Sequence, residues 1–490
     1  MSNLTQYLEF ATVGVYLAVL LAIGIQSSRQ VRTSLDFTLA GRRVSWGVLL
    51  ATSAATMVGG GMSIGLISKV YEVGIAVAIA STGAYFSLIL TGLFLAPKLR
   101  GLNLITVGDY FELKFGGLAR ILSIPYSCMF LFAAIVAQMV AMGTITNAVL
   151  GVDYRVAVVI GALVTVFYST MGGLRAVILT DVLQFFVLVG GLGAAATVLL
   201  MQNGGFEPLI HEVGEAHFEV TSHWSLTRVV TLFFAFLLGE TLTPPFVVRC
   251  LISKDPRSAQ RGVAGAGLFL LLFLPVTSVV LGISALADPA VQEAVAQGNT
   301  QIAFPTLLRT AFHPAFSGVM IAAVIAAVMS SADSCLSSLA TVAMEDIYRH
   351  VKPQATDRQL LRVARWTTLA FGVLAAVFAF FFRDIISIIE FMYDFWGPTM
   401  VLPFLVGTLW YKRTWIYSTL VSMVAGTTAT VIWRFGFDMP YDVSPALFGF
   451  AVAVAALLIS YPFTSHLALG PWVQPRDSQT VDVIEHESGE

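Results

Sequence analysis

Long apolar stretches separated by short polar loops dominate the pattern along this chain. Most stretches have about 20 residues or more, enough for a helix to cross a hydrocarbon core of about 30 Å. Because they lack the alternation of transmembrane strands, they predict an all-α polytopic membrane protein. The thirteen predicted spans cover residues 9–26, 45–66, 74–96, 118–150, 156–171, 177–201, 226–250, 262–287, 315–348, 361–382, 385–411, 414–434 and 444–463.

Composition agrees with this pattern and excludes several classes of protein. Hydrophobic residues make up 57% of the chain and charged residues 11%, against about 25% charged in soluble domains. The net charge of −2 by itself says nothing about partners, but nucleic-acid binding would need a basic face that the sequence does not show, so no nucleic-acid partner is expected. No phosphate-binding GxxxxGK[ST] motif and no mid-membrane histidine beside a nucleophile occur, so we do not expect an enzyme. The three cysteines lie in apolar segments and are expected to be buried thiols.

The distribution of lysine and arginine predicts the orientation. These residues gather in the loops after the first, third, seventh and ninth spans, whereas the loop at 202–225 is acidic. Basic loops remain on the cytoplasmic side, so the N-terminus is predicted outside and the C-terminus inside. We expect a multi-pass protein of the cytoplasmic membrane, surrounded by lipid, as a monomer or weak oligomer.

Two predicted spans are interrupted near their middles. The second contains ATMVGGGMSIG, with glycines at 59–61, and the seventh contains GETLTPPFVVRC, with Pro244 and Pro245. Consecutive glycines or prolines break a helix, although glycines can also form a packing surface and a proline pair can give a simple kink. Breaks in matching positions indicate a secondary transporter with two inverted five-span repeats. The predicted units are residues 1–44, 45–201 (first repeat), 226–411 (second repeat), 412–466 (two further spans) and 467–490 (a disordered acidic tail).

A polar stripe interrupts the ninth span at MSSADSCLSSLAT. Helical spacing places Ser330, Ser334, Ser337 and Thr341 on one face, flanked by Ser331 and Asp333. Each hydroxyl alone can bond back to its own helix, but together with an acid they suit a hard cation such as Na⁺. A second intramembrane acid, Asp181, lies near the start of the sixth span, where it could also cap the helix or pair with Arg175.

Several motifs together resemble the sodium/solute symporter family. They are LAGRRVSWG (39–47), MGGLRAVILTDVLQFFVL (171–188), VVRCLISKD (247–255), MSSADSCLSS (329–338) with MEDIY (344–348), and FWGPTMVLPFLVGTLWYKR (395–413). The resemblance runs in order over roughly residues 36 to 413. It implies a sodium-driven symporter with the leucine-transporter-like fold, a 5+5 inverted repeat and about thirteen spans.

The resemblance also implies cation sites. The conserved sodium site of the family matches the backbone carbonyls of Ala55, Val58 and Ala327 and the hydroxyls of Ser330 and Ser331. Some relatives bind a second sodium at positions that match Asp181, Ser330, Asp333 and Ser334. Those relatives have serine in place of Asp333, so a second Na⁺ and a shared proton both stay open as hypotheses.

Within the family the pattern most resembles the high-affinity choline carriers. A quaternary ammonium needs an aromatic cage. The tryptophan positions of those carriers match Met57, Leu131 and Thr243 here, so choline itself is not expected.

Two further acids indicate the substrate. Glu240 and Thr243 lie beside the seventh-span break, and Glu390 matches a substrate-binding glutamine of sugar carriers. Unpaired carboxylates near a mid-membrane cavity favour an ammonium group, unless Glu240 caps a half-helix and Glu390 pairs within the protein. A half-helix N-terminus would also suit a carboxylate, so a small zwitterion fits both. We therefore expect substrate contacts at Met57, Glu240, Thr243 and Glu390. The predicted function is sodium-coupled import of an amine-bearing or zwitterionic solute, the alternative being sodium- or proton-coupled transport of a monocarboxylate or another small polar solute.

Overall fold

A computed structural model describes residues 11–475 except 17, 21, 24, 25, 27–32, 103 and 298. Within these residues the chain is helical and contains no strand, only an isolated bridge between Val44 and Ser253. Ten helices are long and apolar enough to cross a membrane, and one bent helix pair makes an eleventh span. Two shorter apolar helices, Ala11–Leu20 and Tyr154–Phe167, lie where the first and fifth spans are predicted. The prediction of a helical polytopic membrane protein is confirmed.

The helices of the first half of the chain include all of the predicted first repeat. They are α1 Ala11–Leu20, α2 Ser34–Leu39, α3 Trp46–Gly60, α4 Leu66–Val73, α5 Ile75–Leu90, α6 Ala96–Arg100, α7 Val107–Phe115, α8 Gly117–Leu150, α9 Tyr154–Gln202 and α10 Phe206–Val213. The predicted fifth and sixth spans both lie within one long helix, α9. Gly173 interrupts α9 with φ 57° and ψ 179°, a conformation that glycine adopts without strain.

The remaining helices lie in the second half of the chain. They are α11 Leu226–Glu240, α12 Pro244–Ile252, α13 Pro256–Ala287, α14 Pro289–Gln297, α15 Ala303–Thr310, α16 Pro314–Thr341, α17 Arg349–Val351, α18 Asp357–Phe378, α19 Ile385–Trp396, α20 Leu402–Leu409, α21 Ile416–Val431 and α22 Pro445–Thr464. Short π-helical segments at Gly61–Gly65, Val342–Tyr348 and Gly397–Val401 continue α3, α16 and α19.

Burial separates an inner group of spans from an outer group. The apolar window of Trp46–Val73 is 94% buried, and those of Gly117–Leu150, Pro314–Val351 and Ile385–Leu409 are each 83% buried. The window of Pro445–Thr464 is only 22% buried. Since a polar group inside a membrane must face protein or water, the inner spans are the ones that can carry a polar site.

The predicted acidic tail lies mostly outside the described residues. Its first part is described to residue 475 and includes a short 3₁₀ turn at Pro471–Val473. Val473 is buried, and its backbone lies against Gly116 at the start of α8.

Candidate sodium and substrate site

The first break interrupts α3 at Gly59. This residue has φ 21° and ψ −170°, and the following segment Gly61–Gly65 is π-helical. The Gly60 amide donates to Gln138 Oε1 at 2.7 Å, and the Ser63 hydroxyl donates to the Gly59 carbonyl. The freed backbone groups are thus satisfied by neighbouring side chains, as an irregular segment in a membrane requires.

The second break lies between α11 and α12, which are bent by 48°. Leu242, between them, has a positive φ of 52°. Trp396 Nε1 donates to the Thr241 carbonyl at 2.9 Å, and the hydroxyls of Ser87 and Thr241 are 2.7 Å apart. Both breaks predicted from the sequence are confirmed.

Helix α16 meets the first break directly. The Ser331 hydroxyl donates to the Thr56 carbonyl at 2.6 Å, and a Cβ added at Gly59 would lie 2.4 Å from Ser331 Oγ. The predicted sodium ligands are all buried on these two helices: Ala55, Val58, Ala327, Ser330 and Ser331. Ser331 brings α16 onto the segment of α3 that carries the first two of these carbonyls.

Asp181 lies in a dense polar network. Its carboxylate accepts hydrogen bonds from Thr52 and Ser330. Arg249 Nη2, on α12, lies 3.1 Å from Asp181 Oδ2 and 2.8 Å from Ser334 Oγ. Asp181 and Arg249 are 0% and 1% exposed, so this ion pair lies entirely inside the protein.

The contacts of Arg249 are not predicted by the sequence analysis. It occurs in the quoted motif VVRCLISKD, and a lone arginine in an apolar span was the signal that could have marked it. Its guanidinium links Asp181 to Ser334, two of the predicted ligands of a second cation. A second Na⁺ at Asp181 would therefore share that carboxylate with Arg249.

Asp333 has different partners from Asp181. One of its oxygens accepts a hydrogen bond from Ser169 on α9, and the other, Oδ2, has no partner within the described part of the chain. The side chain is only 1% exposed. The structure thus places the two acids of the predicted second site in separate hydrogen-bond networks.

A small central cavity, of about 60 Å³, lies between the two breaks. Three of the four predicted substrate residues line it: Met57, Glu240 and Thr243. Ser331 also lines it, so the predicted sodium site and the cavity share a wall.

Glu240 is the acid in this cavity. It is the last residue of α11, is 6% exposed, and accepts a hydrogen bond from the Tyr393 hydroxyl. Among the described residues, no other acid and no lysine, arginine or histidine lines the cavity. A positively charged solute would therefore find a carboxylate there without a competing cation.

Three aromatic rings form part of the remaining wall. Phe130, Phe246 and Tyr393 line the cavity, and the rings of Phe130 and Tyr393 stack with centroids 6.3 Å apart. The resemblance to choline carriers matches Leu131 with a tryptophan of their aromatic cage. Leu131 is fully buried, however, and its neighbour Phe130 lines the cavity instead. Rings of this kind attract cations.

Glu390 lies elsewhere. It lines a second cavity, next to the segment 438–445, and its carboxylate is 3.6 Å from Arg228 Nη2. Tyr393, three residues further along α19, takes part in the central cavity instead. The structure therefore brings Glu240 and Thr243 together but leaves Glu390 outside their cavity.

Comparison with known proteins places this geometry in context. A model of the sodium:solute symporter family matches residues 37–426. The osmoregulated proline transporter OpuE of Bacillus subtilis is 25% identical, over 86% of this chain and 88% of its own. The sodium/glucose cotransporter of Vibrio parahaemolyticus is 27% identical, over 90% and 88%. The solved structure of a Na⁺-coupled sialic acid symporter, substrate-bound and outward-open, matches with a TM-score of 0.80 at 21% identity, covering 96% of this chain and 99% of that one. The leucine-transporter-like fold is thereby confirmed.

Proposed function

Because this chain belongs to the sodium:solute symporter family, we propose that it imports a small solute carrying an ammonium group, driven by the sodium gradient. The observation that carries the proposal is Glu240, a carboxylate in a cavity lined by aromatic rings and by no cationic side chain among the described residues. An ammonium group would neutralise the buried carboxylate and lie against the rings of Phe130, Phe246 and Tyr393.

The start of α12 favours an amine over a zwitterion. Pro244 and Pro245 have no N–H group, and the amides of Phe246 and Val247 both donate to the Thr243 carbonyl at 2.9 Å. The first turn of this half-helix therefore offers no free donor to a carboxylate, although an N-terminus would otherwise attract an anion. Arg249, on the same helix, is engaged with Asp181. A substrate carboxylate would find no positive partner in this cavity.

We assign the driving sodium ion to the carbonyls of Ala55, Val58 and Ala327 and the hydroxyls of Ser330 and Ser331. Serine hydroxyls and carbonyls at a helix break are hard oxygen ligands that suit Na⁺. Na⁺ held there would fix α16 against the broken part of α3, which also forms the cavity wall. Sodium binding would then complete the substrate cavity, and by reciprocity the substrate would raise the affinity for sodium by the same factor.

Matched pairs of solutes test the substrate class. We expect ethanolamine to raise the melting temperature of the purified protein in Na⁺ but not in K⁺, and glycine, in which a carboxylate replaces the alcohol group, to have a much smaller effect. Other primary amines with their amino-acid counterparts, and choline with glycine betaine, extend the comparison to ammonium groups of other sizes. If carboxylates or sugars stabilise the protein and no amine does, the ammonium proposal is wrong.

Two variants locate the ammonium site. Glu240→Gln should remove most of the stabilisation by the amine, since it removes the charge without changing the shape. Glu390→Gln is the matched control, because its carboxylate lies in a different cavity beside Arg228. The opposite result, with loss only in the Glu390 variant, would assign the substrate to the acid predicted by comparison with sugar carriers.

A further inference from the structure

An open groove lies at the start of α18, away from the central cavity. Its lining consists of Thr170 on α9 and six residues of α18: Arg358, Leu361, Arg362, Arg365, Trp366 and Leu369. Three of the seven lining residues are arginines, and none is acidic. The groove therefore presents a concentrated positive charge next to an aromatic and an aliphatic side chain.

Helical spacing explains why the arginines converge. Arg358, Arg362 and Arg365 follow each other at i, i+4 and i+7, which places them on one face of the helix. All three are exposed, and the opposite face is buried through Leu360 and Ala364. The arginine side of the helix is thus turned away from the packed interior.

No acid of the protein neutralises these arginines within the described residues, since none of the three takes part in an ion pair there. The nearest acid along the helix, Asp357, accepts a hydrogen bond from the Ser34 amide at 3.4 Å and does not line the groove. Three guanidinium groups without a protein partner suit an anionic oxygen group such as a phosphate, which arginine binds through paired hydrogen bonds.

Toward the C-terminal end of α18, the groove continues into the membrane-spanning part of this helix. Trp366 is 63% exposed and Leu369 is 41% exposed, and Val373, one turn further, is 55% exposed. Tryptophan is enriched where a helix passes from headgroups to hydrocarbon. The groove therefore runs from a cationic end to an apolar end, in the same direction as a phospholipid from its headgroup to its acyl chains.

We infer that this groove binds an anionic phospholipid, with the headgroup phosphate on Arg358, Arg362 and Arg365 and an acyl chain along Trp366 and Leu369. The arginines belong to the loop and helix start that the charge distribution predicts to be cytoplasmic, and basic pockets between helices on that side bind anionic headgroups. The apolar end favours a lipid over free phosphate, because free phosphate would leave Trp366 and Leu369 without a ligand contact. The inference does not depend on the transported solute.

Thermal stability of the detergent-purified full chain tests the inference. Short-chain phosphatidylglycerol at saturation should raise the melting temperature by about 3 °C, whereas phosphatidylcholine and inorganic phosphate should not. The variant Arg358→Gln/Arg362→Gln/Arg365→Gln should lose most of this rise. The control is Lys254→Gln/Arg257→Gln/Arg261→Gln, which removes three exposed charges at the start of α13 and should keep the response.

Two outcomes would overturn the lipid site. One is the same stabilisation by phosphatidylglycerol in both triple variants, since the stabilisation would then not depend on the arginines of the groove in particular. The other is phosphate stabilising the wild type as well as phosphatidylglycerol does. If the arginine triple variant does not fold, Arg362→Gln alone should raise the phosphatidylglycerol concentration for half-maximal stabilisation about fivefold, and an unchanged concentration would contradict the site.

Discussion

At the scale of single residues, the two buried acids Asp181 and Glu240 have different surroundings. Asp181 already has a positive partner, because Arg249 lies 3.1 Å away and both side chains are buried. Among the residues that the structure describes, the Tyr393 hydroxyl is the only hydrogen-bond partner of the Glu240 carboxylate, which faces the central cavity. Removing one partner of a buried ion pair is strongly destabilising, whereas an unpaired acid in a cavity is available to a cationic ligand. This difference supports our proposal that the substrate binds at Glu240 rather than at Asp181.

The Ser331 hydroxyl gives the residue-scale test of the sodium site. Ser331→Ala should raise the sodium concentration needed for half-maximal substrate-dependent stabilisation about tenfold, because one oxygen ligand to a cation is lost. Ser338→Ala is the control: it makes the same change at a buried position two turns along α16, and it should leave sodium dependence unchanged. The same sodium dependence in both variants and the wild type would remove Ser331 from the ligand set.

Several residues of the candidate site could be predicted from the sequence, but the residues that they contact could not. Ser331, Glu240 and Thr243 were marked by polarity inside apolar spans, and all three line the central cavity. The contacts of Arg249 with Asp181 join positions 68 residues apart, and those of Tyr393 with Glu240 join positions 153 apart. Such contacts depend on how helices pack and rotate against each other, which local sequence patterns do not record. For the same reason the sequence could not show that Glu390 turns toward Arg228 instead of the central cavity.

At the scale of elements, the broken helices were predictable because their causes are local. Glycines at 59–61 and the pair Pro244–Pro245 change backbone preferences at the positions where they occur. The ends of spans were less predictable: the tenth predicted span began at residue 361, but α18 begins at Asp357 with Thr356 as a capping residue. The polar stripe of α16 also divides in two, since Ser330 and Ser334 bond to Asp181 and Arg249 whereas Thr341 bonds back to the Ser337 carbonyl.

Gly59 provides the element-scale prediction. Gly59→Ala adds a Cβ 2.4 Å from Ser331 Oγ, at a backbone φ of 21° that an alanine rarely adopts. We expect the melting temperature in Na⁺ to fall by about 5 °C and the stabilisation by Na⁺ to be lost, since α16 must move away from the break.

Gly190→Ala is the control for this variant. Gly190 lies in α9, and an added Cβ there meets nothing within 4 Å. Its stability should stay the same or rise slightly, because alanine favours helix more than glycine does. A Gly59 variant that kept both its stability and its sodium response would show that the close approach of α3 and α16 is not part of the sodium site.

At the scale of the whole molecule, the proposed sodium site and the proposed substrate site share two inner spans. Ser331 on α16 contacts the broken α3, and both helices line the central cavity. A transporter converts a sodium gradient into solute import only if each ligand favours the same closed arrangement of these spans. The apolar windows of the outer spans α18 and α22 are only 33% and 22% buried, so we expect a lipid at α18 to act on stability rather than on the coupling itself.

The most direct test of the central claim is uptake into proteoliposomes containing the purified protein. An inward sodium gradient should accumulate the stabilising amine, ethanolamine in the first trial, above its external concentration, and an equal potassium gradient should not. Collapsing the sodium gradient with an ionophore should release the accumulated solute. Accumulation that is the same in Na⁺ and K⁺ and follows a proton gradient instead would contradict sodium coupling at Ser330 and Ser331.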